Sequence, residues 1–236
     1  MESTVYFVPI SDWTNPATVE ERFGALLARL PWEAASDQAL AAIKLTFGEA
    51  GNAGHPPAHV IAALVRHLKA RGCRPFLTET NTLYHGRRMN AVDHLEVARE
   101  HGFTHESVGA PIILSDGLAG REDHAVPLGG KRVEEAHLAP VVRDLNFLVA
   151  VAHLTGHMVE GVGGAVKNLG MGLASRAGKL DQHSAVSPFV SEEKCVRCYL
   201  CGSVCPVEAI TLSPTTALID RATCIGCADC IAVCPT

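Results

Sequence analysis

Two cysteine-rich runs near the end of the chain constrain its structure more than any other feature. Each has the spacing C-x2-C-x2-C-x3-C-P, in which three evenly spaced cysteines are followed by a fourth and a proline. The first run comprises Cys195, Cys198, Cys201 and Cys205, and the second comprises Cys224, Cys227, Cys230 and Cys234. Three closely spaced thiolates can surround one face of a cubic [4Fe–4S] cluster, and bacterial two-cluster proteins use this spacing.

The fourth cysteine of each run is expected to ligate the cluster that the other run holds. On this rule one cluster has the ligands Cys195, Cys198, Cys201 and Cys234, and the other has Cys224, Cys227, Cys230 and Cys205. Disulfides are a poor alternative, because the cysteines are clustered and the chain shows no secretory segment. Structural zinc would use two paired C-x2-C arms. The sequence therefore predicts two [4Fe–4S] clusters as cofactors.

Composition narrows the class of protein further. The 236 residues are 47% apolar, which is enough for a folded core, and the formal net charge of -5 gives no basic footprint for nucleic acid. No apolar run reaches the length of a transmembrane helix, so we expect no membrane partner. Eight thiols committed to clusters predict a reducing, oxygen-poor cytoplasm. The ninth cysteine, Cys73, is expected to be a small buried packing residue.

Alternating β-rich and amphipathic segments precede the cysteine runs and predict an α/β fold. The sheet is expected to be mostly parallel, with helices on both faces. The predicted strands are 4–10, 40–47, 74–78, 110–114 and 147–152. The predicted helices are one after Asn15 and Pro16, then 56–71, 89–101 and a short one at 138–145, with a hairpin turning at Gly129 and Gly130.

The order of these segments along the chain predicts two domains. Residues 1–187 form the α/β domain with a ligand or anion pocket, and 188–236 form a small two-cluster module of the bacterial ferredoxin type. Residues 179–188 are expected to be a polar linker between them. Residues 207–210, after the first cysteine run, can form the short strand of a ferredoxin half.

Polar loops follow the predicted strands and indicate a second site. An open parallel sheet binds ligands outside the carboxyl ends of its strands, where 48–54, 79–88, 115–120 and 153–164 are expected to meet. An anionic ligand would suit the side chains of Asn81, Arg87 and Arg88 in these loops and, just beyond them, Lys167 and Asn168. The arginines could instead cap a helix or face solvent. The glycine-rich stretch 161–172 lacks the glycine spacing of a dinucleotide-binding fold. Its glycines could help to form the anion site, or they could only allow two backbone segments to cross closely.

Three residues near this stretch are candidates for catalysis. His153 and His157 are four residues apart, a spacing that two metal ligands on a helix can have, but Gly156 lies between them and disfavours a helix. Either histidine could instead bond a buried carbonyl. Lys167 would serve as an electrophilic or basic group. The sequence therefore leaves open an additional metal ion in the α/β domain.

Six segments in order resemble one known family. They are KLTFGEAGN, TETNTLYHGRR, APIILSDGLAG, HLTGH, GVGGAVKNLGMGLASRAGK and the twin cysteine runs. Together they resemble the uncharacterised iron–sulfur proteins of domain-of-unknown-function family number 362. The resemblance implies an α/β domain that carries a two-cluster ferredoxin module, with a redox function and no assigned substrate. It also implies further strands after that module, so we expect this chain to be truncated at its C-terminus.

Three functions are compatible with these features. The first is electron transfer between a redox partner protein and a substrate or partner at the α/β domain. The second is a carrier or maturation module that delivers clusters or metal to another enzyme. The third is a metal-assisted oxidoreductase whose active site lies in the α/β domain. The complete ligand sets favour the first function over the second, because they favour clusters that the protein retains.

Overall fold

The computed structural model describes residues 4–83, 86–131, 133–157, 160–183, 188–224, 230 and 233–236. The helices are α1 Pro16–Leu27, α2 Ala58–Lys69, α3 Ala91–Glu100, α4 His105–Val108, α5 Ala165–Gly172, α6 Arg176–His183 and α7 Leu200–Ser203. The strands are β1 Leu40–Lys44, β2 Arg74–Glu79, β3 Ile112–Leu114, β4 His124–Pro127, β5 Glu135–Leu138, β6 Phe147–Ala150, β7 Thr155–His157, β8 Gly161–Gly163, β9 Ile210–Leu212 and β10 Ala217–Ile219.

A four-stranded parallel sheet forms the centre of the fold, in the order β3-β2-β1-β6. Because β2 and β3 follow β1 on one side while β6 lies on the other, the strand order reverses between β1 and β6. Ligands of open α/β sheets bind outside the carboxyl ends of the strands at such a reversal. The expectation of a mixed α/β fold with a parallel sheet is confirmed.

Side chains of β1 alternate between two faces, as in any strand. Ile43 is fully buried in the main apolar cluster, which it shares with Ile61 and Leu64 of α2. Its neighbour Lys44 is also fully buried, but it contacts Asn168 of α5. The helices α2 and α5 therefore cover opposite faces of β1.

Local capping signals set the helix boundaries where the sequence predicted them. The Asn15 side chain accepts hydrogen bonds from the backbone N–H groups of Ala17 and Thr18, and Pro16 begins α1. After α2, Gly72 adopts a positive φ of 80°, a conformation that glycine tolerates best. The predicted hairpin at Gly129 and Gly130 is also confirmed, since β4 pairs with β5 in antiparallel register.

Three other predictions need correction. Residues 4–10 form no strand, and Val5 and Phe7 are 86% and 85% exposed, because no neighbouring strand pairs with this run. The short helix predicted at 138–145 is a 3-10 helix at Pro140–Arg143. Residues 179–183, predicted to be the start of a polar linker, belong instead to α6, where Lys179 is buried. Residues 184–187, at the predicted domain boundary, lie outside the described residues.

A two-stranded antiparallel hairpin of β9 and β10 separates the two cysteine runs. The strand expected at 207–210 begins only at Ile210 and continues to Leu212. Across the described ranges, no helix is both long and apolar enough to span a membrane.

Candidate functional site

Buried charged residues lie where the central strands end. Lys44 is the last residue of β1, and its Nζ donates to Leu45 O at 2.7 Å and to Asn168 Oδ1 at 2.6 Å, and lies 3.3 Å from Glu79 Oε1. Glu79 is the last residue of the neighbouring strand β2. Because parallel strands end at the same edge, two residues 35 positions apart form one buried ion pair.

Further donors surround the second oxygen of Glu79. The Phe47 backbone N–H donates to Oε2 at 3.0 Å, and Arg88 Nη1 donates to it at 3.2 Å. His94 Nε2 makes a longer contact of 3.5 Å. Arg88 also pairs with Glu49, which is partly exposed. The Glu79 carboxylate is therefore the centre of a network that ties the loop after β1 to β2 and α3.

A second buried pair lies at the end of β3. Both oxygens of Asp116 accept from the Asn81 backbone N–H, at 3.0 and 2.9 Å, and Asn81 Nδ2 donates to Oδ1 at 2.9 Å. Lys179 Nζ lies 4.0 Å from Asp116 Oδ2 and donates to Thr80 Oγ1 and Ala174 O. This pair joins α6 to the ends of β2 and β3.

Burial and neighbouring charges shift the pKa values of these groups. Burial alone would raise the pKa of Glu79, but Lys44, His94 and Arg88 outweigh it and hold the pKa far below its ordinary value. Burial lowers the pKa of Lys44 and, despite Asp116, lowers that of Lys179 to about 8. Burial raises the pKa of Asp116. A buried lysine with a pKa near neutrality can exchange a proton more easily than a surface lysine.

Asn168 connects the ends of β1 and β6, the two strands between which the strand order reverses. Its Nδ2 donates to Val151 O, after β6, at 3.1 Å and to Lys44 O, at the end of β1, at 3.4 Å. Gly172, one turn further along α5, makes room for this contact, since a Cβ there would lie 2.3 Å from Lys44 Nζ. Asn168 therefore lies at the sheet edge where the sequence predicted an anion site, and it holds a cation there.

The other predicted site residues do not lie together in the structure. Arg87 makes a bidentate ion pair with Glu100 at 2.7 and 2.8 Å on the surface of α3. Lys167 lies 3.9 Å from Glu160 Oε1. His157 Nδ1 accepts from the Glu160 backbone N–H at 3.0 Å, and its pKa is lowered by burial and by Lys167. His157 belongs to β7, so it does not form a helical pair with the exposed His153.

The cysteine runs contribute to a cavity of about 210 Å³ in the C-terminal part of the chain. Apolar walls come from Phe189, Val196, Leu212 and Ile219. The cysteines on its wall are Cys195, Cys198, Cys201, Cys230 and Cys234. Four of these five form the ligand set that the crossed rule predicts for one cluster. The fifth, Cys230, was assigned to the other cluster.

The backbone of the loop that carries Cys198 has an unusual conformation. Arg197 and Tyr199, on either side of Cys198, have positive φ values of 56° and 60°. Such conformations are uncommon outside glycine and cluster at ligand sites. Hydrogen bonding from Thr216, and then from the N–H groups of Ala217 and Arg197, lowers the pKa of Cys195.

Other thiols have different surroundings. Burial raises the pKa of Cys201, while a hydrogen bond with the Thr236 side chain lowers that of Cys234. The Ala209 N–H donates to Cys205 Sγ at 3.2 Å. Among the residues that the structure describes, no three His, Cys, Asp or Glu side chains form a group that could hold a metal ion. Cys227, predicted as a ligand of the second cluster, lies outside the described residues.

These features define a class: an α/β protein with charged groups buried at the carboxyl edge of a parallel sheet and a cysteine-lined C-terminal cavity. Comparison with protein families shows which family within that class the chain belongs to. The family described as Domain of unknown function (DUF362) matches residues 41–226, and the chain belongs to it. No curated protein and no solved structure matches the chain.

Several residues of the buried network were not predicted from the sequence, namely Lys44, His94 and Lys179. Lys44 lies in a run that is otherwise apolar, and a lysine inside such a strand is an available signal, because unpaired burial of its charge is costly. No repeating pattern of apolar residues in the short, polar α6 indicates that Lys179 is buried. Only the tertiary structure shows that it contacts Thr80.

Proposed function

We propose that this protein is an iron–sulfur electron-transfer protein that binds two [4Fe–4S] clusters, with an α/β domain that docks a substrate or redox partner. One observation carries the proposal. The two cysteine runs have the same spacing and supply eight thiols, and four of the five cysteines that line one cavity are the crossed set Cys195, Cys198, Cys201 and Cys234. That combination is the one expected where a fourth cysteine ligates the cluster of the other run.

The residues present fit such a group. Thiolates are the ligands that iron–sulfur clusters require, and [4Fe–4S] clusters transfer single electrons at potentials set by hydrogen bonds to sulfur and by solvent access. The N–H donor at Cys205 and the donors at Cys195 are of this kind. Phe189 and Leu212 line the same cavity with apolar side chains. The cavity therefore offers ligands, sulfur hydrogen bonds and an apolar lining.

The α/β domain supplies the docking side of this proposal. Arg88 is balanced by Glu49 and Glu79, so the cation best placed for an added anion is Lys167 on the first turn of α5. Its only close carboxylate within the described residues is Glu160, at 3.9 Å. Gly164 caps α5 without a side chain, and helix N-termini attract anions. We therefore place the anionic group of a small ligand or partner near Lys167, since the Asn168 amide already donates to Lys44 O and Val151 O.

An anaerobic redox titration tests the function. The reconstituted protein should be reduced by dithionite and reoxidised by a protein acceptor with its iron content unchanged. Loss of iron during the cycle, or clusters that accept no electron from dithionite, would overturn electron transfer as the function.

One observation favours a second candidate, a cluster carrier. Cys198 and Cys234 are exposed, and an exposed thiolate can be exchanged for the thiolate of an acceptor. Incubation with apo-ferredoxin separates the two functions. Retention of the clusters supports electron transfer, whereas quantitative transfer to the acceptor supports the carrier.

A further inference from the structure

The residues between the cysteines give the two runs opposite charges. When the runs are aligned on their cysteines, Arg197 of the first run corresponds to Gly226 of the second, and Leu200 corresponds to Asp229. Between its first and fourth cysteine the first run contains Arg197 and no carboxylate, whereas the second contains Asp229 and no cation. The two runs therefore share their ligand spacing and differ in the sign of the charge that they carry.

The backbone indicates that the arginine is present for its side chain. Arg197 has a φ of 56°, in the left-handed region that residues other than glycine rarely adopt. The second run has glycine at this position, so a run of the same spacing can be built without a side chain there. Strained residues of this kind occur preferentially at functional sites. The strain at Arg197 therefore points to a role for its guanidinium group.

Arg197 lies on the wall of the cysteine-lined cavity. It lines that cavity together with Cys195 and Cys198, the two ligands that flank it in sequence. Its side chain is exposed, and within the described residues it forms no salt bridge. No nearby described carboxylate therefore neutralises the positive charge beside these thiols.

A fixed charge beside an iron–sulfur cluster shifts its reduction potential. Reduction adds one electron, so the cluster with its four thiolates becomes more negative by one charge. A nearby cation stabilises the reduced form and raises the potential, whereas a carboxylate lowers it. On the proposed function, in which the chain binds two clusters, we propose that Arg197 raises the potential of one cluster above that of the other. The cluster with the higher potential is the one held by Cys195, Cys198, Cys201 and Cys234.

The exposure of the ligands agrees with a role for this cluster as the exit point for electrons. Two of its ligands, Cys198 and Cys234, are exposed. The described ligands of the other cluster, Cys205, Cys224 and Cys230, are only partly exposed. An electron taken up by the protein therefore settles on the cluster that a protein acceptor can approach most closely.

A redox titration followed by EPR on the anaerobically reconstituted full chain tests this role. The wild type should show two midpoint potentials. In Arg197→Gln the higher one should fall by about 30–60 mV, which is roughly a threefold to tenfold change in the one-electron equilibrium constant. The lower one should stay in place, so the two potentials move closer together. Arg197→Lys keeps the charge and should restore the wild-type values. The control Arg74→Gln removes an exposed arginine at the start of β2 and should change neither potential.

Two further measurements separate charge from structure. Arg197→Gly is compatible with the positive φ, so it should fold normally and show the same fall in potential. In about 1 M salt, where the Debye length is about 3 Å, the difference between the wild type and Arg197→Gln should shrink. A difference that persists at high salt would mean that Arg197 acts through the shape of the loop, against the proposal.

The iron content distinguishes failure of this inference from failure of the proposed function. Unchanged potentials in Arg197→Gln and Arg197→Gly, or a fall in the lower potential, with about eight irons still bound, would overturn the role of Arg197 alone. A wild type that binds no [4Fe–4S] cluster would overturn the proposed function and this inference with it.

Discussion

Lys44 Nζ and Glu79 Oε1 lie 3.3 Å apart at the ends of adjacent strands, with their side chains 0% and 8% exposed. Each charge is costly to bury alone, because the interior solvates it poorly. The Glu79 carboxylate has further partners, since Arg88, His94 and the Phe47 N–H all approach it. The loop after β1 therefore depends on a single acidic side chain of β2.

Glu79→Gln should destabilise the protein by about 3–5 kcal/mol, because it leaves Lys44 and Arg88 buried without their shared countercharge. Urea denaturation measures this change. Glu100→Gln is the matched control, since its partner Arg87 is 46% exposed and a surface pair contributes only about 0–1 kcal/mol. Equal losses in the two variants would contradict a structural role for the buried network.

A glycine in α6 sets how closely that helix packs on β5. A Cβ at Gly178 would lie 2.0 Å from the backbone oxygen of His137, so Gly178→Ala must push the helix away from the strand. We expect a loss of about 1–3 kcal/mol in the free energy of unfolding. At Gly170 of α5 the nearest atom would be 3.6 Å away, and Gly170→Ala should stabilise by up to about 1 kcal/mol. A neutral or stabilising Gly178→Ala would show that α6 does not pack as described.

His137 should make stability depend on pH. Its Nδ1 lies 2.6 Å from Asp123 Oδ2, and this hydrogen bond and the charges of Asp123, Asp181 and Glu135 raise its pKa despite partial burial. A raised pKa in the folded state stabilises it below the ordinary value of 6.5, and the contribution disappears as pH rises through the raised value.

Unfolding experiments between pH 5.5 and pH 9, taken as roughly the range around this transition, measure the effect. At the acidic end His137→Gln should be less stable than the wild type by about 0.5–1 kcal/mol, and the difference should shrink at the alkaline end. His105→Gln, on the surface of α4, should follow the wild type throughout. A difference that grows with pH would contradict the predicted direction.

Removing Cys234 tests how the two cysteine runs share ligands. If it completes the cluster of the first run, Cys234→Ala leaves Cys195, Cys198 and Cys201, and mild oxidation should give the EPR signal of a [3Fe–4S] cluster. The other cluster should remain intact. Cys73→Ala, which removes the buried cysteine outside both runs, should show no such signal. Damage confined to the cluster of Cys224, Cys227 and Cys230 would mean that each run serves its own cluster.

The sequence predicted most of the central fold, because local signals determine it. Asn15 and Pro16 mark the start of α1, and the apolar runs of β1, β2 and β6 indicate buried strands. Residues 4–10 have the composition of a strand, yet β structure needs a neighbour that composition does not reveal. A segment can therefore carry the local signal of a strand and remain unpaired.

The candidate sites were less predictable, because they depend on contacts between residues that are distant in sequence. The polar loops predicted a site at the carboxyl edge of the sheet, with Arg88 in one loop and Asn168 just beyond another. Nothing local shows that Asn168 holds Lys44, 124 positions earlier, or that Arg88 faces two carboxylates. Charge partners require the tertiary structure.

Quantification of iron and acid-labile sulfide after anaerobic reconstitution shows whether the chain binds two [4Fe–4S] clusters. We expect about eight irons and about eight sulfides per chain, since two such clusters require that content. About four irons per chain, or stoichiometric zinc in place of iron, would contradict it.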